Sequence, residues 1–165
     1  MAEITFKGNP IHTAGELPPV GVAAPAFSIR GQNLQDFGLG DHAGKKKILN
    51  IFPSLDTGIC ALSVKAFHGK AAERDDVVVI NISADLPFAQ KRFCGAEGVS
   101  NAITGSTFAS SFAADYGVTM LDGPLKDLCS RCVVVLDAND QVVYAEQVPE
   151  IVQEPNYDAA LAALD

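Results

Sequence analysis

Short apolar runs along the chain are separated by breaks rich in Gly, Pro and Asp. Ile4 to Phe6 and Ile11 to Thr13 flank Gly8-Asn9-Pro10, which predicts a short N-terminal β-hairpin. Leu17-Pro18-Pro19-Val20-Gly21 reads as a stiff extended connector. Ala26 to Ile29 reads as a strand entering a loop that runs through Gly44. Lys46 to Phe52 alternates little and stops at Pro53, which suits a buried strand ended by a loop. Beyond Ser54 to Gly58 the period changes. Cys60, Val64, Phe67 and Ala71 repeat on one face of a helix, for which Thr57 or Asp56 is a suitable N-cap.

Val77 to Ile82 is a continuous apolar strand. Pro87 opens a helix through Phe93, with Gly95 just past its end. Phe108 to Tyr116 reads as a helix ending at Gly117. Cys132 to Leu136 and Val142 to Ala145 flank Asp137-Ala138-Asn139-Asp140 as strand, turn and strand, and Tyr157 to Leu164 closes the chain as an alanine-rich helix. The order predicts an α/β fold, a central mixed sheet with helices on its faces, compatible with a thioredoxin-like core. At 165 residues one domain spanning 1–165 is expected.

Twelve Lys and Arg against twenty Asp and Glu leave a net charge of −8, which speaks against a nucleic-acid partner. The N-terminus carries no basic stretch followed by an apolar core, and no apolar run approaches the ~20 residues of a membrane span. A soluble, cytoplasmic protein without a membrane partner is expected. Four cysteines in such a compartment argue against a structural disulfide framework and direct attention to individual thiols.

With Thr57 as the cap, Cys60 falls in the first turn of its helix. Unpaired backbone N–H groups point at the sulfur there, and the helix dipole adds partial positive charge. Both favour the thiolate, which is the nucleophilic form. The same position also suits a buried cysteine serving as a small apolar residue.

Pro53, Thr57 and Cys60 together form Pro-x-x-x-Thr-x-x-Cys. With Pro53-Ser54-Leu55-Asp56-Thr57-Gly58-Ile59-Cys60, Ile82-Ser83-Ala84-Asp85-Leu86-Pro87-Phe88-Ala89-Gln90-Lys91-Arg92-Phe93-Cys94, Asp122-Gly123-Pro124-Leu125-Lys126 and Glu154-Pro155-Asn156-Tyr157, the chain resembles the thiol peroxidases, the atypical two-cysteine peroxiredoxins, over nearly its whole length. The resemblance implies a thioredoxin-like fold and an antioxidant peroxidase acting on hydrogen peroxide and organic hydroperoxides. In that pattern Cys60 attacks the peroxide and becomes a sulfenic acid, Thr57 orients the peroxide, Pro53 shields the site, and Arg131 stands beside the sulfur. Cys94 resolves the sulfenic acid as an intramolecular disulfide. Thioredoxin is the implied reductant, a homodimer the implied assembly, and no metal, haem or flavin is implied.

Cys94, read beside Gly95, lies at the opposite kind of helix end from Cys60, so oxidation is expected to unwind one or both ends. Arg92 is a weaker candidate, a surface charge or a support for the Cys94 segment. Cys129-Ser130-Arg131-Cys132 departs from the family pattern. Its two extra thiols read as ordinary small side chains, although an auxiliary disulfide or interception of a Cys60 sulfenic acid stays open. His12, His42 and His68 share no metal spacing, and Asp56, Asp75, Asp76 and Asp85 read as capping or solvated carboxylates. A redox sensor that stalls after one equivalent of peroxide and a one-cysteine peroxidase that ignores Cys94 are the rival readings.

Overall fold

The structure, a computed structural model, describes residues 1–71 and 73–165. Strands β1 (Glu3–Phe6) and β2 (Asn9–His12) form the N-terminal hairpin, with Phe6 opposite Asn9. The turn is therefore Lys7-Gly8, one residue earlier than the Gly8-Asn9-Pro10 break suggests. Both turn residues take positive φ, 51° and 80°, as a twisted two-residue hairpin loop requires.

The second sheet has seven strands in the order β4-β3-β7-β6-β5-β8-β9. Its centre is β5 (Lys46–Ile51), β6 (Val77–Ser83) and β7 (Ile103–Ser106), mutually parallel and joined through α1 (Gly58–Ala71) and α2 (Pro87–Ala96). Strands β8 (Cys132–Leu136) and β9 (Val142–Gln147) extend one side antiparallel. The short β3 (Ile29–Arg30) and β4 (Asp36–Phe37) close the other. A small α3 (Phe112–Asp115) and the C-terminal α4 (Tyr157–Ala162) complete the chain. No described helix is long and apolar enough to cross a membrane.

Alternation along β5 sorts the core into two faces. Ile48 packs with Phe67, Val133, Val135 and Ala160 under α1 and α4, and Phe52 packs with Cys60, Val64, Phe93 and Cys94 under α1 and α2. Leu49 and Ile51 point the other way, toward Ile80, Ile82, Phe112, Tyr116, Cys129 and Cys132. This is the thioredoxin-like mixed sheet with helices on its faces, and the hairpin set apart from it.

Three local expectations are corrected. The helix expected over Phe108 to Tyr116 is confined to Phe112–Asp115, because Ala109 takes φ 58° and the Ser110 hydroxyl donates to the Ser28 carbonyl (2.6 Å). The strand expected over Ala26 to Ile29 begins only at Ile29. Helix α2 also runs through Gly95. Its left-handed terminating glycine is Gly98, and the Val99 N–H donates to the Cys94 carbonyl at 3.0 Å. That bond is the signature of a Schellman motif, and it places Cys94 inside the last turn rather than at the break. Strand β7 has no run of large apolar residues, and Gly105 gives it close packing: a Cβ there would sit 2.1 Å from Ile29 Cδ1.

Lys47 is buried in β5, its ammonium donating to Asp140 (2.6 Å) in the β8–β9 turn and to the Lys45 carbonyl (3.0 Å). Removing the carboxylate strands that charge. Asp140→Ala should lower stability by about 2 to 3 kcal/mol in urea unfolding, less than a fully buried pair because Asp140 is partly solvated. Adding Lys47→Met should recover part of the loss.

Candidate active site

The site forms where the parallel strands end. Beyond β5 the Phe52 N–H still donates to the Ile82 carbonyl (3.1 Å), and then buried Pro53, which has no N–H, ends the ladder. The Thr57 carbonyl accepts from the Ala61 N–H (3.1 Å), so Thr57 is the N-cap of α1 and Cys60 its third residue, in the first turn. The Thr57 hydroxyl does not cap the helix. It donates to the Ser54 carbonyl (3.1 Å), as does the Thr57 N–H (3.2 Å).

Arg131 reaches this sulfur from the start of β8. Its Nη2 stands 3.3 Å from Cys60 Sγ, and its Nε donates to the Ile151 carbonyl at 2.8 Å. The side chain is only 2% exposed, and Nη1 is buried with no hydrogen-bond partner. Among the described residues no carboxylate lies within ion-pairing distance of it. A guanidinium buried in this way is costly unless an anion or acceptor meets it.

A cavity of about 270 Å³ opens onto Arg131, while the buried Cys60 is not among its lining residues. Pro53, Thr57 and Arg131 line it together with mostly apolar walls from the hairpin (Phe6), the loop between α3 and β8 (Leu125) and Ile151-Val152. The hairpin is stitched in place by Thr5, whose N–H donates to Pro149 (2.8 Å) and whose carbonyl accepts from Ile151 (2.9 Å). A His12–Asp122 contact of 2.8 Å ties it to the segment bearing Leu125. Nothing in the periodicity singles out Ile151 or the hairpin as parts of a site, since a backbone carbonyl and a wall contact leave no mark on residue type.

Cys94 lies in the same buried cluster as Cys60, between α1 and α2. Burial pushes its thiol above the ordinary value, with a side-chain hydrogen bond from Gln32 pulling the other way. Arg92 is exposed and pairs with the exposed Asp56 (3.2 Å) across the seam between the two cysteine segments. Asp85 does more than cap: it accepts from the Ser54 hydroxyl (2.7 Å), the Leu55 N–H (2.8 Å) and the Ser83 hydroxyl (2.6 Å).

Cys129 and Cys132 pack in the core on the other face of the sheet from Cys60. Cys132 Sγ lies 3.1 Å from Gln147 Oε1, and all four cysteines are free.

A cysteine in the first turn of a helix at the end of a thioredoxin-like parallel sheet marks the class as the thiol-dependent oxidoreductases. The sequence pattern of the redoxin family matches residues 19–161. Thiol peroxidases of Mycobacterium bovis and Mycobacterium tuberculosis are 54% identical over 164 residues, covering 99% of both chains. Among solved structures, a peroxiredoxin-like protein from Aquifex aeolicus superposes with a TM-score of 0.92 at 35% identity, covering 98% of this chain and 95% of that one. A thiol peroxidase from Chromobacterium violaceum gives 0.91 at 21% identity over 98% and 95%, a likeness of fold. The chain belongs to the redoxin family, among its thiol peroxidases, and is a thiol-dependent peroxidase.

Burial holds the Cys129 and Cys132 thiols up to about 12, against an ordinary 9.0. Folding therefore keeps protons that the unfolded chain releases above 9.0. Their contribution to stability is whole below pH 9.0 and is lost as pH rises toward about 12. Urea midpoints should fall over that window, less steeply in Cys129→Ala, and iodoacetamide at pH 8 should leave both thiols unmodified until the protein unfolds.

Proposed function

We propose that Cys60 is the attacking thiol of this peroxidase and Cys94 the thiol that resolves it. The Cys60 thiolate attacks the terminal oxygen of a hydroperoxide. An S–O bond forms, the O–O bond breaks, and the departing alkoxide or hydroxide takes a proton to leave as alcohol or water. Cys60 is left as a sulfenic acid. The Cys94 thiol then condenses with it, forming the S–S bond and releasing water. A dithiol reductant, thioredoxin by family relation, exchanges with that disulfide, restoring both thiols and becoming oxidised itself. No cofactor enters the cycle.

One observation carries this reading: Arg131, buried and without a carboxylate, has one nitrogen at the Cys60 sulfur (3.3 Å) and another with no partner. The first suits a thiolate, and the second suits the oxygen on which negative charge grows as the O–O bond breaks. The Thr57 hydroxyl already donates to Ser54, so its lone pairs are free to accept the peroxide proton. Pro53 closes the floor against water. The apolar cavity walls suit organic hydroperoxides as well as hydrogen peroxide.

Burial of Cys94 inside the last turn of α2 means that closing the disulfide unwinds that turn, the first turn of α1, or both. Assembly as a homodimer is part of the same reading. Exposed Leu86, Phe88 and Phe108, which follow the adjacent parallel strands β6 and β7, offer the apolar surface. A reducing compartment, the cytoplasm, suits four free thiols.

One equivalent of peroxide added to reduced protein should cross-link the peptides that contain Cys60 and Cys94, as read by mass after digestion. Cys94→Ser should still consume that first equivalent but lose thioredoxin-driven turnover. Sustained turnover in the variant would favour a one-cysteine enzyme. Arg131→Lys keeps a charge but loses the fork, and should lower kcat/KM for peroxide by about 10²-fold in steady-state assays.

A further inference from the structure

We propose that Asp85 is a positioning residue that locks the Cys60 loop and the Cys94 helix into one arrangement in the reduced protein. The inference rests on the reading of Cys60 and Cys94 as the two redox thiols.

Asp85 stands in the turn between β6 and α2, and its carboxylate is the node of two hydrogen-bonded branches. One branch runs to the peroxide site. Oδ1 accepts from the Ser54 hydroxyl (2.7 Å) and Oδ2 from the Leu55 N–H (2.8 Å). The Ser54 carbonyl then accepts from the Thr57 hydroxyl (3.1 Å), and Thr57 is the N-cap residue of the helix whose first turn carries Cys60. The direction of the Thr57 lone pairs thus depends, through one residue, on Asp85.

The other branch runs to Cys94. Oδ2 also accepts from the Ser83 hydroxyl (2.6 Å), whose oxygen accepts from Gln90 Nε2 (3.2 Å). Gln90 also donates to the Gly105 carbonyl (3.0 Å), which fixes α2 against β7. Gln90 and Cys94 are four residues apart on one buried face of α2. One carboxylate therefore ties both cysteine-bearing segments to the end of the sheet.

The two branches bear on different steps. Peroxide attack needs Thr57, Cys60 and Arg131 held still, so loosening the first branch slows it. Disulfide closure needs Cys94 to leave its helical seat, so loosening the second branch speeds it. Asp85 favours the first step at the expense of the second.

The test is rapid mixing of reduced protein with hydrogen peroxide, quenched at intervals, with the Cys60 sulfenic acid and the Cys60–Cys94 disulfide quantified by mass. Ser54→Ala should slow sulfenic acid formation about tenfold and leave closure within about twofold. Ser83→Ala should leave sulfenic acid formation within about twofold and speed closure about threefold. Asp85→Asn, equal in size but short of one acceptor, should do both at once. Slower attack in Ser54→Ala with closure unchanged, and faster closure in Ser83→Ala with attack unchanged, are together what a general loss of stability cannot give. Wild-type rates in all three variants, or a parallel loss of both steps, overturn the inference. Should Asp85→Asn fail to fold, the two serine variants decide it by the same criterion. A wild-type protein that forms no Cys60–Cys94 disulfide overturns the reading of the thiols instead, and Asp85 is then judged on sulfenic acid formation in Ser54→Ala.

Discussion

The site depends on a buried positive charge that the protein itself leaves without a negative partner. Taking a guanidinium out of water costs on the order of several kcal/mol, and the usual remedy is a carboxylate. Arg131 has none within ion-pairing distance among the described residues. It has the Ile151 carbonyl on one nitrogen, the Cys60 sulfur near another, and nothing on the third. A carboxylate would neutralise the charge permanently and hold the guanidinium away from the reacting atoms. A sulfur and an open position leave its stabilising power available to whatever negative charge arises nearby. The cost of burying Arg131 is thus also the source of its chemical usefulness.

Such an arrangement survives only in a scaffold that cannot relax around it. Strand β8, buried throughout from Cys132 to Leu136, is paired on both sides, to β5 and β9, and this fixes where Arg131 emerges. The carbonyl that receives its Nε belongs to Ile151, whose own N–H is held by Thr5 of the hairpin (2.9 Å). The N-terminal hairpin, outside the seven-stranded sheet, therefore acts as a brace for the arginine as well as a wall of the cavity. From the opposite side the Asp85 carboxylate holds the loop that sets Thr57 and Cys60. Three segments distant in sequence thus fix the surroundings of one sulfur, partly through backbone groups, the Ile151 carbonyl and the Leu55 N–H, that a side-chain pattern does not reveal.

What the sequence could and could not disclose follows from that. The long buried strands, the helix after Pro53 and the hairpin are visible because burial on one or both faces imposes a period on residue type. Cys60, and Thr57 as its cap, were legible from helix position; Pro53 and Arg131 were legible only through the resemblance to the thiol peroxidases. The short strands were less so: β3 and β4 are held by brief edge pairing, and β7 by its pairing with β6 and close packing at Gly105. The end of α2 was misplaced because Gly95 is tolerated inside the helix, while the glycine that requires positive φ is Gly98. Asp85 carried no mark beyond that of a capping acid, since its three partners meet only after the β6–α2 turn folds back on the Ser54 loop.

The two extra thiols show how closely the register of β8 is tied to the chemistry. Arg131 and Cys132 are neighbours in sequence but serve opposite faces of the sheet, Arg131 at the Cys60 sulfur and Cys132 in the apolar core with Ile51 and Val134. A slip of one residue would exchange them. It would bring a second thiol up to Cys60 and drive the guanidinium into a core of aliphatic and aromatic side chains. The polar atoms beside Cys132, Gln147 Oε1 and the Ser130 hydroxyl, are neutral, so the slipped register would bury the charge without an anion. The charge held at Cys60 also enforces the strand alignment that keeps Cys132 away from the Cys60 sulfur. Pairing of Ile51 with Cys132 and Asn50 with Val133 is accordingly as much a condition of selective thiol chemistry as of sheet stability.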